Sequence, residues 1–376
     1  MANENARLAE LAVERANEAK APADYAAWKH ARETDLLEVW QQYVSTYPNG
    51  LYAQQANAKI EQRKANRLIG DLSGARRALA FSPDSRTLLA GAYNNEVKIW
   101  DVVARKERVT LSGHAREVRA IAVSPDGRLA ATGSATWLSE PKTEDEKKKQ
   151  TKSQKEELED YSLRLWLVET GKYIHWFDGT HENISAVAFS PDGTRLISGG
   201  KERIIKLWDV ANRKTLKSFE WSSIYSVDTL AFLSNSRQIV SGGYDEVRLW
   251  DTETGKEVRT LKTPGSAVAV SPNGRLIATG GRDNLVRIWD AMTGKEVRSL
   301  IGHTGSVNAL SFHPNNKNVI SAGSDGAVLY WDVGQDREVM AFRASGSFDS
   351  LALAPDGKRV VAAGWYGAKV WDLTSL

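Results

Sequence analysis

At 376 residues the chain is long enough for one large domain and a small one. Its 50 Lys and Arg stand against 47 Asp and Glu, so composition gives no reason to expect a phosphate-binding surface. There is no cysteine, which excludes disulfides, thiol catalysis and cysteine-ligated metal, and no stretch has the apolar length of a membrane span. The first twenty residues are alanine-rich and charged without the apolar core of a signal peptide, so the sequence as it stands reads as cytoplasmic.

Residues 1–65 read as helical. Leu8, Leu11 and the alanines between them suggest a first helix ending near Ala21-Pro22, and residues 23–32 a second. A third starts at a Thr34-Asp35 cap and carries Leu36, Trp40, Tyr43, Val44 and Tyr47 on one stripe. Tyr47-Pro48-Asn49-Gly50 breaks it, and Tyr52, Ala56 and Ile60 mark a fourth. Over about forty residues, Trp40, Tyr43, Tyr47-Pro48, Gly50, Tyr52-Ala53 and Ala56 resemble a tetratricopeptide-like helical hairpin, of the kind found beside bacterial effector and scaffold modules. Two expectations follow. The segment is either a cap that packs its aromatics on the rest of the protein, because so short a bundle has little core of its own, or a docking arm for a second protein.

From residue 66 the pattern changes to short strands. Seven Trp residues end β-branched runs: Trp100, Trp166, Trp208, Trp250, Trp289, Trp331 and Trp371. Six are followed by Asp; Leu167 takes that place once. Their separations are 66, 42, 42, 39, 42 and 40 residues. Upstream of each lies a turn such as Ser82-Pro83-Asp84, Ser124-Pro125-Asp126-Gly127 or Ser190-Pro191-Asp192-Gly193, flanked by alternating runs that read as strands. Residues 66–376 therefore resemble the WD-repeat family, whose unit of about 40–45 residues is a four-stranded propeller blade. The resemblance implies an all-β, seven-bladed β-propeller of antiparallel blades. Trp371 is too close to residue 376 for blade 7 to have its own outer strand, whereas residues 67–74 align with residues 107–113. The strand before blade 1 is thus expected to complete blade 7 and leave no open edge.

In WD repeats a His, a Ser or Thr, an Asp and the Trp form a hydrogen-bonded tetrad. Blade 6 has all four, His303, Ser321, Asp325 and Trp331. Blade 2 has His114, Thr132 and Trp166, with Asp160 six residues before the Trp, so a charged insertion (137–159) splits the set and accounts for the 66-residue spacing. Blade 3 has His181, Ser198 and Trp208 with Glu202 in place of Asp; blade 5 has Thr279, Asp283 and Trp289 without the His. Blades 1, 4 and 7 depart further. These sets read as repeated structural staples, not as catalytic triads.

Partner contacts are expected on the face that carries the tetrad turns. The residue before each tetrad Asp position gives a rim of Tyr93, Glu159, Lys201, Tyr244, Arg282, Ser324 and Trp365, with Trp137 beside the insertion. Aromatics and Arg are the side chains best suited to anchor a protein contact. A second ring at the channel mouth contains Arg77, Arg119, Ser185, Asp228, Ser266, Asn308 and Asp349, which predicts a small positive patch on blades 1 and 2 suited to an acidic peptide. The partner-binding set is thus Tyr93, Trp137, Lys201, Tyr244, Arg282, Trp365, Arg77 and Arg119. The function these residues imply is a protein-binding scaffold or sensor subunit within a larger complex. It needs no cofactor, metal, small-molecule ligand, membrane or nucleic acid. An enzyme working at the central channel, or a nucleic-acid factor using Arg77, Arg119 and the insertion lysines, are the competing readings; no set of His residues converges for the first, and near-neutral charge speaks against the second.

Overall fold

The computed structural model describes residues 20–34, 37–66, 78–92, 94–135, 163–177, 183–344 and 346–374. The chain divides between Leu68 and Ile69 into two units.

The first unit contains helices α1 (Pro22–Thr34), α2 (Leu37–Thr46) and α3 (Ala53–Asn66). The helix expected around Leu8 and Leu11, and the Thr34-Asp35 cap with Leu36, fall largely or wholly outside the described residues. The aromatics of this unit are buried against one another. Tyr25, Trp28, Trp40, Tyr43, Tyr52 and Ile60 form one cluster, in which the Trp28 and Tyr52 rings stack at 4.3 Å. This corrects the expectation that so short a bundle has little core of its own: each buried aromatic side chain removes a large area from water. Asp24 is buried at the turn between α2 and α3, where it accepts the Tyr43 hydroxyl and, at 2.7 Å, the Leu51 N–H. A Cβ at Gly50 would come within 2.8 Å of that carboxylate, so the turn requires glycine there.

The second unit is built from seven antiparallel sheets. Blade 1 is the template: β1 (Leu79–Phe81), β2 (Thr87–Gly91), β3 (Val97–Asp101) and β4 (Lys106–Leu111), hydrogen-bonded in that order from the channel outwards. Every residue of β2 is buried, because neighbouring blades cover both faces, whereas β4 begins with three exposed residues. Blades 2 to 6 repeat this order with four strands each. In all six, the pairing of third and outer strands shifts register just before the Trp, for example between Ile99 and Trp100 and between Tyr330 and Trp331. Such a bulge adds local twist and re-aims the side chain that follows it.

Blade 7 shows three strands, Ser350–Leu353, Arg359–Gly364 and Gly367–Asp372. The strand expected to complete it, residues 67–74, lies outside the described residues. The ring nonetheless closes through its inner strands: that of blade 7 packs between those of blades 6 and 1. At the same seam the Asp356 N–H donates to the Ser85 hydroxyl at 2.9 Å, across 271 residues of sequence.

The two recurrent acids have a common physical task. Where Asp follows the third-strand Trp it caps the next turn: Asp101 accepts the N–H groups of Val103 and Ala104, and Asp251 those of Glu253 and Thr254. In the turn between inner and second strands, the Ser124 hydroxyl donates to Asp126 at 2.5 Å and accepts from the Leu129 N–H at 2.9 Å. The same arrangement holds Asp192, whose pKa falls to about 2: burial alone would raise it, but the Ser190 and Thr194 donors outweigh that effect.

Candidate protein-interaction face

In an antiparallel four-stranded blade, the turn between second and third strands and the loop entering the inner strand emerge on the same face. The side chains that tether these turns set what that face can display. In blade 6 the tetrad is complete. Trp331 Nε1 donates to Ser321 Oγ at 2.7 Å, the Ser321 hydroxyl meets His303 Nε2 at 2.7 Å, and His303 Nδ1 lies 3.0 Å from Asp325. The donors run in one direction, indole to hydroxyl to imidazole, with Nδ1–H pointing to the carboxylate, and this requires a neutral His303. Burial lowers the His303 pKa in spite of the opposing pull of Asp325. Burial would raise Asp325, but the N–H groups of Thr304 and Ala327, with His303, bring it below the usual carboxylate value. Ser321 is fully buried and already accepts the indole N–H, so its oxygen cannot reach a substrate.

Elsewhere the staple is partial. In blade 2 Thr132 accepts Trp166 Nε1 at 2.8 Å and meets His114 Nε2 at 2.7 Å, while Asp160 lies outside the described residues. The Trp–hydroxyl bond recurs at 2.9 Å to Ser198, 2.8 Å to Ser241 and 2.9 Å to Thr279. His181 of blade 3 lies outside the described residues, and Glu202 stands 4.0 Å from Lys206. In blade 5 Asp283 is held by Arg287 at 2.5 Å, which also donates to Thr263 at 3.2 Å. Blades 1 and 7, on either side of the seam, place Ala90 and Ala362 where the hydroxyl would be, two residues beyond the partner of the Trp. Trp100 Nε1 is accordingly buried without an acceptor.

Blade 4 is stapled differently. Trp221, in the loop entering its inner strand, is 2 % exposed and donates its N–H to the Tyr225 carbonyl at 3.0 Å. The Arg248 guanidinium lies 5.0 Å from the Trp221 ring, pairs with buried Glu246 and reaches Ser222 at 2.6 Å. The loop held in this way turns Ile224 and Tyr225 outwards, 78 % and 37 % exposed. Tyr225 packs on Tyr244 at 4.5 Å between centroids, and Arg282 of blade 5 lies over Tyr244 at 4.1 Å while donating to its hydroxyl at 2.6 Å.

The structure therefore brings Tyr244 and Arg282 into direct contact. Lys201 is exposed on the turn of blade 3, and Trp365 on that of blade 7. Tyr366, beside Trp365, lies against Gly346, whose φ of +95° and missing side chain make room for the ring. Tyr93, Glu159, Trp137 and Arg77 lie outside the described residues. Arg119 is in the channel, where a cavity of about 170 Å³ is also lined by Ser185 and Asp228. Glu117 sits 3.5 Å from Arg119 and offsets the positive charge expected on that blade. Burial raises the Asp228 pKa against the opposing hydrogen bond from Ser226. No group of three His, Asp or Glu among the described residues is placed to hold a metal, and none of the described helices is long and apolar enough to cross a membrane.

Sequence reasoning missed Trp221, Ile224, Tyr225 and Tyr366. The signal was available in blade 4: Trp221-Ser222-Ser223-Ile224-Tyr225 replaces the small, polar His303-Thr304-Gly305 type of loop.

The WD domain, G-beta repeat model matches residues 67–101, 105–137, 171–209, 255–290 and 294–332. This chain belongs to the WD-repeat β-propeller family. The WD repeats left outside those matches are the ones that end at Trp250 and Trp371, in blades 4 and 7; among the described residues of this face the exposed aromatics lie in these two blades, whereas exposed Tyr173 and Trp176 lie on the outer strand of blade 2. Among relatives, the chain is similar to Autophagy-related protein 16 of Arabidopsis thaliana, at 28% identity over 59% of this chain and 39% of that protein. It is similar to Pre-mRNA-processing factor 17 of Homo sapiens, at 31% over 57% of this chain and 34% of that protein. A third relative is COMPASS component SWD3 of Saccharomyces cerevisiae, at 27% over 51% of this chain and 54% of that protein. The chain spans about two fifths of the length of the first curated relatives it matches.

Proposed function

We propose that the protein is an interaction scaffold that holds partner proteins on the propeller face carrying Lys201, Tyr244, Arg282 and Trp365. The observation that carries this reading is the placement of the exposed aromatics. Tyr225 and Tyr244 in blade 4, and Trp365 and Tyr366 in blade 7, sit on that face in the two blades whose WD repeats lie outside the family match. Large rigid rings held at the surface supply contact area at little entropic cost. A relative named as a component of COMPASS is consistent with work inside a complex. A cytoplasmic location goes with the proposal, and fractionation of the native host tests it. Tyr93, Trp137, Arg77 and Arg119 remain candidate contacts on the same face and at the channel mouth.

The test is affinity purification from the native host, coupled to mass spectrometry, with wild type and with Tyr244→Ala, Arg282→Gln and Trp365→Ala. Partners should fall away in at least one variant whose thermal unfolding is unchanged. Recovery of every partner at wild-type levels by all three would remove this face from consideration.

A further inference from the structure

Arg282 is an exposed cation on this face held in a constrained geometry. Its guanidinium is stacked on Tyr244 and hydrogen-bonded to the Tyr244 hydroxyl, so much of its rotational freedom is already lost. Among the described residues no carboxylate lies within ion-pairing distance of it. The acids that follow Arg282 and Tyr244 in the sequence have other partners: Asp283 is held by Arg287, Glu246 by Arg248 and Lys262, and Asp245 receives the Ser223 hydroxyl at 3.3 Å. Lys201 and Arg203, exposed on the adjoining turn of blade 3, add cations that likewise have no carboxylate partner among the described residues. Tyr225 also packs on Tyr244, and with the exposed Ile224 beside it in sequence offers apolar surface.

We infer that this corner of blades 3 to 5 is a clamp for an acidic-apolar peptide segment. A carboxylate of the segment pairs with Arg282, and an apolar side chain rests on Ile224 and Tyr225. The column Arg282–Tyr244–Tyr225 is two ring contacts long. An extended peptide advances about 3.3 Å per residue, so an acid and an apolar residue two or three positions apart span it. A planar guanidinium that keeps free N–H donors suits a carboxylate, which it can grip with two parallel hydrogen bonds. The inference rests on the scaffold reading above and adds the chemistry of the bound segment.

The experiment is an array of twelve-residue peptides on a Gly-Ser background. Each contains one Glu or Gln and one Leu or Ala at spacings of one to five residues, and the array is probed with the full chain. Wild type should retain peptides that combine Glu with Leu at a spacing of two or three. Arg282→Gln should weaken that binding at least about tenfold, as removal of an anchoring charge does at other interfaces. Arg282→Glu should shift the preference to peptides in which Lys replaces Glu, a reversal that misfolding cannot produce. If peptides bind and Tyr244→Ala abolishes binding, but Glu is not required and Arg282→Gln has no effect, this inference falls and the scaffold reading stands. Should no peptide binding depend on Tyr244, Arg282 or Trp365, both fall. Retention of single-stranded RNA in preference to every peptide also overturns the inference.

Discussion

Blades 6 and 4 occupy equivalent places in the ring and solve the same problem with different chemistry. Each must tether a long loop over the end of a sheet without leaving buried polar atoms unpaired. Blade 6 uses a relay of four side chains, His303, Ser321, Asp325 and Trp331, that ends on the Asp325 carboxylate. Blade 4 keeps only the Trp250–Ser241 bond of that relay and fills the remaining space with Trp221, Arg248 and Glu246. The difference teaches that the tetrad is one solution among several. Where it is given up, the loop can be longer and can expose groups such as Ile224 and Tyr225.

If Trp221 is the staple of blade 4, its loss should be the most damaging single change considered. Trp221→Ala should cost about 3–5 kcal/mol, in the range for truncating a buried aromatic, and should lower the thermal midpoint by several degrees. Loss comparable to that of a surface residue would show that the loop is held by other contacts. The relay is tested next by paired substitutions. Ser321→Ala leaves both the Trp331 N–H and His303 without their hydroxyl partner and should cost about 3 kcal/mol; Ser241→Ala strands the Trp250 N–H and removes only a long bond to the Arg248 carbonyl, and should cost about 1 kcal/mol. Equal values from urea unfolding would mean that the imidazole and carboxylate of blade 6 contribute nothing.

Acid should distinguish the two blades as well. The folded pKa of His303 is below the unfolded value of about 6.5, so its effect is absent above that pH, and stability declines as pH falls from there towards the folded value, because the unfolded chain takes up the proton first. The folded pKa of Asp325 is also lowered, so its contribution is present above the unfolded value of about 3.9 and is lost as pH falls through the folded one. Heteronuclear NMR should follow His303 titrating below 6.5, and a pKa above that would reverse the sign of the first effect. The smallest change is expected in blade 5, where Asp283→Asn weakens a partly exposed pair with Arg287 by less than about 1 kcal/mol.

How much of this was legible in the sequence depends on how local the cause is. The blades were legible because the Ser-Pro-Asp turns and the Trp-Asp pairs act through hydrogen bonds to residues only two to five positions away, such as Ser124 with Leu129 and Asp251 with Thr254. The tetrad of blade 6 was legible because four residue types recur at set offsets. Trp221 was not, because its burial depends on close approach to Gly243 and on Arg248, which comes from another strand. The same limit applies to the helices. The stripe of Trp40 and Tyr43 signalled burial, but only the fold shows that Trp28 and Tyr52 supply the other wall. Tyr244 and Arg282 were named as separate rim residues; that one holds the other follows from the packing of neighbouring blades and from no spacing in the chain.

The seam between Ser85 and Asp356 also has a bearing on how the protein is made. Blade 7 leaves the ribosome after the other six, so blade 1 waits through their synthesis before its neighbour across the seam exists. Joining segments so distant in sequence carries a large loop-closure entropy, and folds dominated by such contacts assemble slowly. During that interval the flanks of blades 1 and 6 are open, with buried strands such as Thr87–Gly91 still uncovered on one side. The nascent ring is therefore most exposed to aggregation just before completion, and the demand for chaperone protection should peak at that stage.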